Sequence, residues 1–499
     1  MLVKSTQDEI QDFLTDASYM RDGSADRVVF PETAEEVALV LADATRDRTP
    51  VTVSGAGTGT VGGRVASGGI ILATDKLNRI KSITRNQTGG IAVVEAGVIL
   101  GDFQRAVEAK GLLYAPDPTE RGCFLGGTVA TNASGSRTFK YGPTRKYIRR
   151  AKLALATGEL LNLRRGEVIA DRQRVFDFDL PGGRRIHAKL PGYDMPQTRK
   201  NATAYFAAEE MDLLDLFIGS EGTLGVVVEV ETELLPKPEA LLSGVVFFTT
   251  EQDVLSFVRE ARQKSLKNRA ASKTGLDARA LEYFDSESLG FLREKYPTIP
   301  QVATAAVFFE QETTSETEDS LMSAWLDLLQ RHHAVSESWF ATGEQDHAQL
   351  REFRHQLPVL MNEWFARYRQ KKVSTDMAVP DDAFAGMLAQ YQNALRSSTL
   401  RYTIFGHIGD NHIHVNILPR DEREAAEARE LYVQFLKYAA AVGGTLSAEH
   451  GVGKLKREYL KLFYSEEHLQ EMAALKLAFD PAGILGRGNI FSEELLGDL

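Results

Sequence analysis

A single cysteine, Cys123, occurs in 499 residues, which excludes a disulfide framework and any iron–sulfur cluster held by this chain's own thiolates. An iron–sulfur electron carrier, if one takes part, must be a separate chain. Long uncharged apolar runs are also missing, so no transmembrane segment is expected. The first residues, Met1 to Ile10, are polar and lack the apolar centre of a signal peptide. A cytoplasmic location is therefore the default expectation, with peripheral membrane association left open. Positive charge is in deficit: 58 Lys and Arg against 69 Asp and Glu give a formal net charge of -11. That balance argues against a nucleic-acid partner, because no excess of cations is there to neutralise phosphates. A local basic pocket for a small acid remains compatible with it.

What is present is ordinary for an enzyme, with 43% hydrophobic and 25% charged residues. The length calls for at least two domains. Residues 31–44 read as a capped amphipathic helix and residues 49–54 as a strand. After a glycine-dense segment the chain returns to a strand at 69–74, another at 91–98, and a helix at 100–110. Strands are expected again over 151–163 and 225–235. Pro236 and Pro238 resist both helix and central strand and mark a boundary. Beyond them, 243–248 reads as a strand, 251–265 as a helix, and 465–478 as an amphipathic helix stopped by Asp480-Pro481. Residues 164–200 are rich in charge, glycine and proline and read as a surface excursion.

Three small-residue loops carry the first chemical signal. Ser54-Gly55-Ala56-Gly57-Thr58-Gly59 follows a strand but leads into another strand, not a helix. That order differs from a dinucleotide fingerprint, where the pyrophosphate meets a helix N-terminus. It fits instead a nest of backbone N–H groups around an anion. A flexible surface turn is the alternative. Pro116-Asp117 with Gly126-Gly127, Asn132 and Ser136 forms a second loop, and Gly219-Ser220-Glu221-Gly222 through Val226 a third. Three such loops suggest a large, extended, polyanionic cofactor.

The second signal is histidine. Only 10 occur, and four of them lie in two short segments, His407 to His414 and Glu449-His450. Should 412–416 form a strand, its period of two points His412, His414 and Asn416 to one face. The Gly409-Asp410-Asn411 turn can fold His407 back toward them. Imidazoles with a carboxylate suit a borderline-soft divalent ion such as zinc. A hydrogen-bonded polar strand with a surface turn fits the same residues equally well. His187, His332, His333, His347 and His355 carry no such pattern and read as structural or solvated.

The order of these segments resembles the vanillyl-alcohol-oxidase-type FAD proteins, in the branch of D-2-hydroxyacid dehydrogenases. That branch includes D-lactate dehydrogenases, the glycolate oxidase flavin subunit and D-2-hydroxyglutarate dehydrogenase. Gly55-Ala56-Gly57-Thr58, Gly126 to Gly135, Gly219 to Gly225, the histidine cluster, Glu449 to Gly453 and Asp480 to Leu485 carry the likeness, which spans about Val28 to Phe491. The resemblance implies an α+β fold: a two-subdomain FAD-binding domain over residues 1–238 with an insertion at 164–200. A cap domain over 239–450 follows, with an antiparallel sheet covered by helices, and residues 451–499 return as helices to the first domain. FAD would be held noncovalently, since no histidine lies in the first glycine loop. Its expected lining is Ser54, Gly55, Ala56, Gly57, Thr58, Gly59, Pro116, Asp117, Gly126, Gly127, Asn132, Ser136, Glu221, Gly222 and Val226.

For the chemistry, the resemblance assigns His407, His414 and Glu449 to a divalent metal and His450 to the base. Asn416 would contact the substrate, and Arg354 would clamp its carboxylate through a bidentate fork. The metal would act as a Lewis acid on the 2-hydroxyl, and hydride would pass to the flavin. The implied partners are a small 2-hydroxy acid and a separate electron acceptor: quinone, cytochrome or electron-transfer flavoprotein. A homodimer is left open. Two departures stand out: His412 where relatives carry asparagine, and Ser374-Thr375 before Asp376 where many relatives have a substrate-binding lysine. Two other readings share parts of the pattern: a flavin-dependent transferase of the alkyl-dihydroxyacetone-phosphate synthase type, and a zinc hydrolase that binds no flavin.

Overall fold

The computed structural model describes residues 1–341 and 343–497. Its first sheet has the order Leu2–Lys4, Arg27–Phe30, Ile70–Ala73, Val51–Ser54. The last three strands run parallel. The helix Ala34–Arg46 begins at Thr33, whose hydroxyl accepts from the Glu36 N–H, and buries Val37, Leu41 and Ala44. All four residues of Ile70–Ala73 are buried, as a strand with both faces covered requires. The glycine loop that starts at Gly55 leaves the carboxyl end of Val51–Ser54, the end of a parallel sheet where ligands collect.

A second sheet runs Ile80–Arg85, Gly90–Glu95, Val226–Pro236, Ile148–Ala154, Leu160–Arg164, with Leu112–Leu113 also paired to Val226–Pro236. The strands expected over 151–163 are Ile148–Ala154 and Leu160–Arg164, joined by a turn in which Gly158 adopts φ +91°. Pro236 ends its strand and Ala240 starts the next, so the two prolines flank the crossing between sheets.

The third sheet has seven strands, all antiparallel. Their order is Trp339–Phe340, Ala240–Phe248, Ala305–Thr313, Ala278–Phe284, Tyr402–Gly406, His414–Ile417, Val373–Ser374. One face packs Val246, Phe248, Tyr283 and Phe309 against Phe257 and Trp325 of the helices Glu251–Ala270 and Glu318–Arg331. The other packs Val245, Phe247, Phe284 and Phe308 against Phe353, Leu357 and Met361 of the helix Glu344–Tyr368. The helix Glu466–Phe479 starts at a Ser465 cap. Past it, the chain returns to the first sheet, where Val51 donates to Ile484 and accepts from Gly486.

Two expectations are corrected here. Residues 164–200 are no loose excursion: Val175–Asp179 and Arg185–Lys189 form a hairpin whose Phe176, Ile186 and Ala188 are buried. The hairpin alternates apolar and charged residues, so one side belongs to the core. The strand expected over 412–416 starts only at His414, because Asn411 takes a left-handed conformation (φ +53°) and ends a turn of 3-10 helix. No helix among the described residues is long and apolar enough to cross a membrane.

Candidate active site

One cavity of about 480 Å3 runs between the glycine loops and the end of the seven-stranded sheet. Strand register builds its far wall. Cross-strand partners in an antiparallel sheet share a face, and Ser374 pairs Asn416, Phe405 pairs His414, and Phe284 pairs Phe405. Glu282 stands two residues before Phe284 on the same face, and all six residues line the cavity. Arg354 and His355 reach it from the helix Glu344–Tyr368, and His450 from the loop at 449–453.

Of the loop residues expected to bind a cofactor, Gly55, Ala56, Gly57, Thr58, Gly59, Gly126, Gly127, Glu221, Gly222 and Val226 line this cavity. The N–H groups of residues 56–60 have no protein acceptor among the described residues, the state of an anion nest awaiting its ligand. A Cβ at Gly59 or Gly127 would meet no protein atom within 4 Å, so both leave open space. Loop and cavity therefore fit an elongated cofactor with a diphosphate.

Ser54, Pro116, Asp117, Asn132 and Ser136 do not line it. Asp117 faces Arg137 at 3.1 Å and takes a hydrogen bond from Gln104. Asn132 accepts from the Arg145 N–H, and Ser54 accepts from Arg64. Their neighbours Pro118, Ser134 and Ser220 line the cavity instead. Glu221 lines it, but its carboxylate is committed elsewhere: it accepts from the N–H groups of Val452 and Gly453, each at 2.7 Å. It ties the third loop to the segment that carries Glu449 and His450.

The histidines converge as a group. One ligand atom each from His407, His412, His414 and Glu449 lies within 4.8 Å of the others. His407 Nε2 is 3.3 Å from Glu449 Oε2, and His414 Nε2 and His412 Nδ1 are 3.9 Å from it. The outward nitrogens are oriented from behind. His407 Nδ1 meets Glu282 at 2.7 Å, and His414 Nδ1 meets the Thr375 carbonyl at 2.8 Å. Both Nε2 atoms are thereby turned inward, an arrangement characteristic of metal-ligating histidines. His412 is buried beneath the wall, placed by the turn and not by strand alternation. Neither of its nitrogens makes a hydrogen bond of good geometry. The donor set of three imidazoles and a carboxylate fits a divalent ion of the zinc type.

Charge is arranged to match. Burial pushes the Glu449 carboxyl up, but Lys200 and His407 outweigh it and hold the group well below its ordinary value. Burial lowers His414, with help from His450, to about 4, and lowers His412, with help from His414, to about 4. His450 is also lowered by burial to about 4. All three rings are neutral at pH 7, as a ligand or a base must be. His407 differs: burial lowers it, yet Glu282 lifts it to about 9.

Sequence reasoning missed three residues of this centre. Lys200 is fully buried, with Nζ 2.7 Å from Glu449 Oε1, 3.4 Å from Asp410, and bonded to the Gly135 carbonyl. Glu282 and Asp376 are the others. A usable signal existed for Glu282: it is an acid in the otherwise apolar run Ala280-Leu281-Glu282-Tyr283-Phe284, and buried charges are retained only when paired. Among the remaining histidines, His332 bonds Glu260, His347 bonds Ser243, and His355 touches Arg354 at the cavity wall.

Residues 237–490 match the C-terminal domain of the FAD linked oxidases, and residues 25–164 match an FAD binding domain. The glycolate oxidase subunit GlcD of Bacillus subtilis is 29% identical, covering 96% of this chain and 92% of its own. D-lactate dehydrogenase of Anaerostipes hadrus is 28% identical over 97% and 93%, and D-2-hydroxyglutarate dehydrogenase of Stutzerimonas stutzeri 28% over 93% and 90%. Among solved structures, p-cresol methylhydroxylase superposes with a TM-score of 0.71 at 15% identity, covering 100% of this chain and 95% of its own. An alkyldihydroxyacetonephosphate synthase superposes at 0.67 with 16% identity, covering 97% and 82%. The fold is the two-domain vanillyl-alcohol-oxidase type of flavin enzymes. The chain belongs to the FAD linked oxidase family.

Proposed function

We propose that this enzyme oxidises a D-2-hydroxy acid, D-lactate or a related acid, to the 2-oxo acid. FAD would be held noncovalently and a divalent metal, zinc by its ligand chemistry, would sit at His407, His414 and Glu449. The observation that carries the reading is the opening of one cavity onto both the bare-glycine loops and the oriented histidines. The names of the curated relatives support the substrate class.

Oxidation removes a hydride from C2 and a proton from the 2-hydroxyl. Bound FAD supplies the hydride acceptor. A metal in the histidine cluster supplies a Lewis acid. The protein handles the rest. His450 has Nδ1 3.3 Å from Asp376 and no protein partner on Nε2 among the described residues, so Nε2 is free to take the hydroxyl proton. Arg354 keeps its Nε 3.3 Å from Glu282, contacts His355 through one terminal nitrogen, and lies on the cavity wall, where its guanidinium would meet a substrate carboxylate. Asn416 accepts from Ser374 at Oδ1, while its buried Nδ2 has no partner and remains available to a substrate oxygen. Phe284, Phe405 and Met361 wall the cavity and exclude water. A separate electron carrier would reoxidise the flavin.

The deciding experiment is anaerobic mixing of the yellow protein with a panel of D- and L-2-hydroxy acids. Bleaching by D-lactate or a related D acid, with the L enantiomer inert, is expected; a flavin that no D-2-hydroxy acid bleaches defeats the reading. Cofactor placement has its own test. Gly127→Leu projects a side chain into open space, so the variant should fold as well as the flavin-free wild type yet purify colourless. Full flavin content would show that FAD lies elsewhere. Metal removal gives a third result: dialysis against a chelator should abolish turnover, and added zinc should restore it. Turnover that persists at zero metal content removes the metal from the reaction.

A further inference from the structure

Asp376 is fully buried, and its two oxygens serve two different parts of the site. Oδ1 lies 3.1 Å from His412 Nε2 and 3.3 Å from the Glu449 N–H. Oδ2 lies 3.3 Å from His450 Nδ1 and accepts from the His450 N–H at 3.0 Å, from Lys456 Nζ at 2.8 Å, and from the Ser447 hydroxyl. The residue sits just past Val373–Ser374, the edge strand of the seven-stranded sheet, so it is fixed to the same wall as Asn416 and His414.

We infer that Asp376 is a positioning residue shared by the metal centre and the base, one oxygen to each. Contact at His412 Nε2 leaves Nδ1 to face Glu449 and the other imidazoles, which makes His412 a fourth ligand in addition to His407, His414 and Glu449. Contact at His450 Nδ1 fixes that ring with Nε2 toward the cavity, and the two bonds to backbone N–H groups set the direction of the segment that carries both Glu449 and His450. A carboxylate behind a ligating or proton-accepting imidazole sets its aim. Lys456, 2.8 Å from Oδ2, supplies a balancing charge for the buried carboxylate. The arrangement makes metal occupancy and base orientation depend on a single side chain.

This inference rests on the proposed oxidation, and two readouts separate the failure of one from the failure of the other. Asp376→Asn keeps the shape and removes the charge. It should remain yellow, bind zinc roughly 10–100-fold more weakly, and reduce its flavin roughly 10–100-fold more slowly at saturating zinc, with the KM for the hydroxy acid within about threefold. Asp376→Glu, which keeps the charge, should recover most of the lost rate. His412→Asn tests the metal arm by itself: zinc affinity should fall by a similar factor. Zinc affinity unchanged in both Asp376→Asn and His412→Asn, or a reduction rate unchanged in Asp376→Asn, overturns the sharing. His412→Asn carries the test should Asp376→Asn fail to accumulate. Zinc titration needs no substrate, so it stands whether or not a D-hydroxy acid reduces the wild type.

Discussion

His450→Asn is expected to purify as a yellow protein with its full complement of FAD, and its flavin to be reduced by substrate on the order of 10²–10⁴ times more slowly. The ring stacks 5.6 Å from His414, holds Asp376 through Nδ1, and has no other protein partner for Nε2 among the described residues. Asparagine can keep a donor toward Asp376 but offers no basic nitrogen to the cavity. The loss should therefore fall on the proton-transfer step and leave KM nearly unchanged. Stopped-flow reduction under anaerobic conditions reads this directly. A rate within threefold of wild type would remove His450 from the role of base.

Lys200→Met should cost about 3–5 kcal/mol of stability, because it strands two carboxylates. Lys200, itself fully buried, is the cation that the buried Asp410 and the cavity-lining Glu449 face. Neither oxygen of Asp410 has a hydrogen bond of its own. Methionine fills a similar volume and supplies no charge. Urea unfolding of the flavin-loaded protein measures the loss, and Glu449→Gln in the same chain should return part of it, since the carboxylate left unpaired is then neutral. Equal midpoints for wild type and Lys200→Met would show that Lys200 does not hold the centre together. Zinc should also bind more weakly, because Lys200 and Ser134 occupy Oε1 of Glu449 and leave Oε2 for the histidines.

Much of the local structure was legible in the chain. Thr33 and Ser465 announce their helices, the β-branched and aromatic run Val245 to Phe248 after Pro238 announces a strand, and the glycine loops stand out by composition. The scarce, clustered histidines marked the segment, and the family resemblance singled out His407, His414 and Glu449 within it. What was not legible shares one cause. Pro116, Asp117, Asn132 and Ser136 belong to a loop that lines the cavity without lining it themselves, and a loop without fixed periodicity does not state which way each residue points. Lys200 was hidden because charge in a Gly- and Pro-rich segment ordinarily means solvent. Its burial depends on Glu449, 249 positions away.

By itself, then, the sequence determined the elements that short-range physics controls: caps, turns, alternation, and the residue types able to hold a diphosphate or a divalent ion. Tertiary structure decided which side chains meet. Register between Val373–Ser374, His414–Ile417 and Tyr402–Gly406 put Ser374, Asn416 and His414 on one wall. The turn at Asn411 drew His412 into the cluster, and the buried acids Glu282 and Asp376 acquired their roles only through partners from other segments. Pairing of buried charge is a long-range property, satisfied by whatever the fold brings near, and no spacing along the chain encodes it.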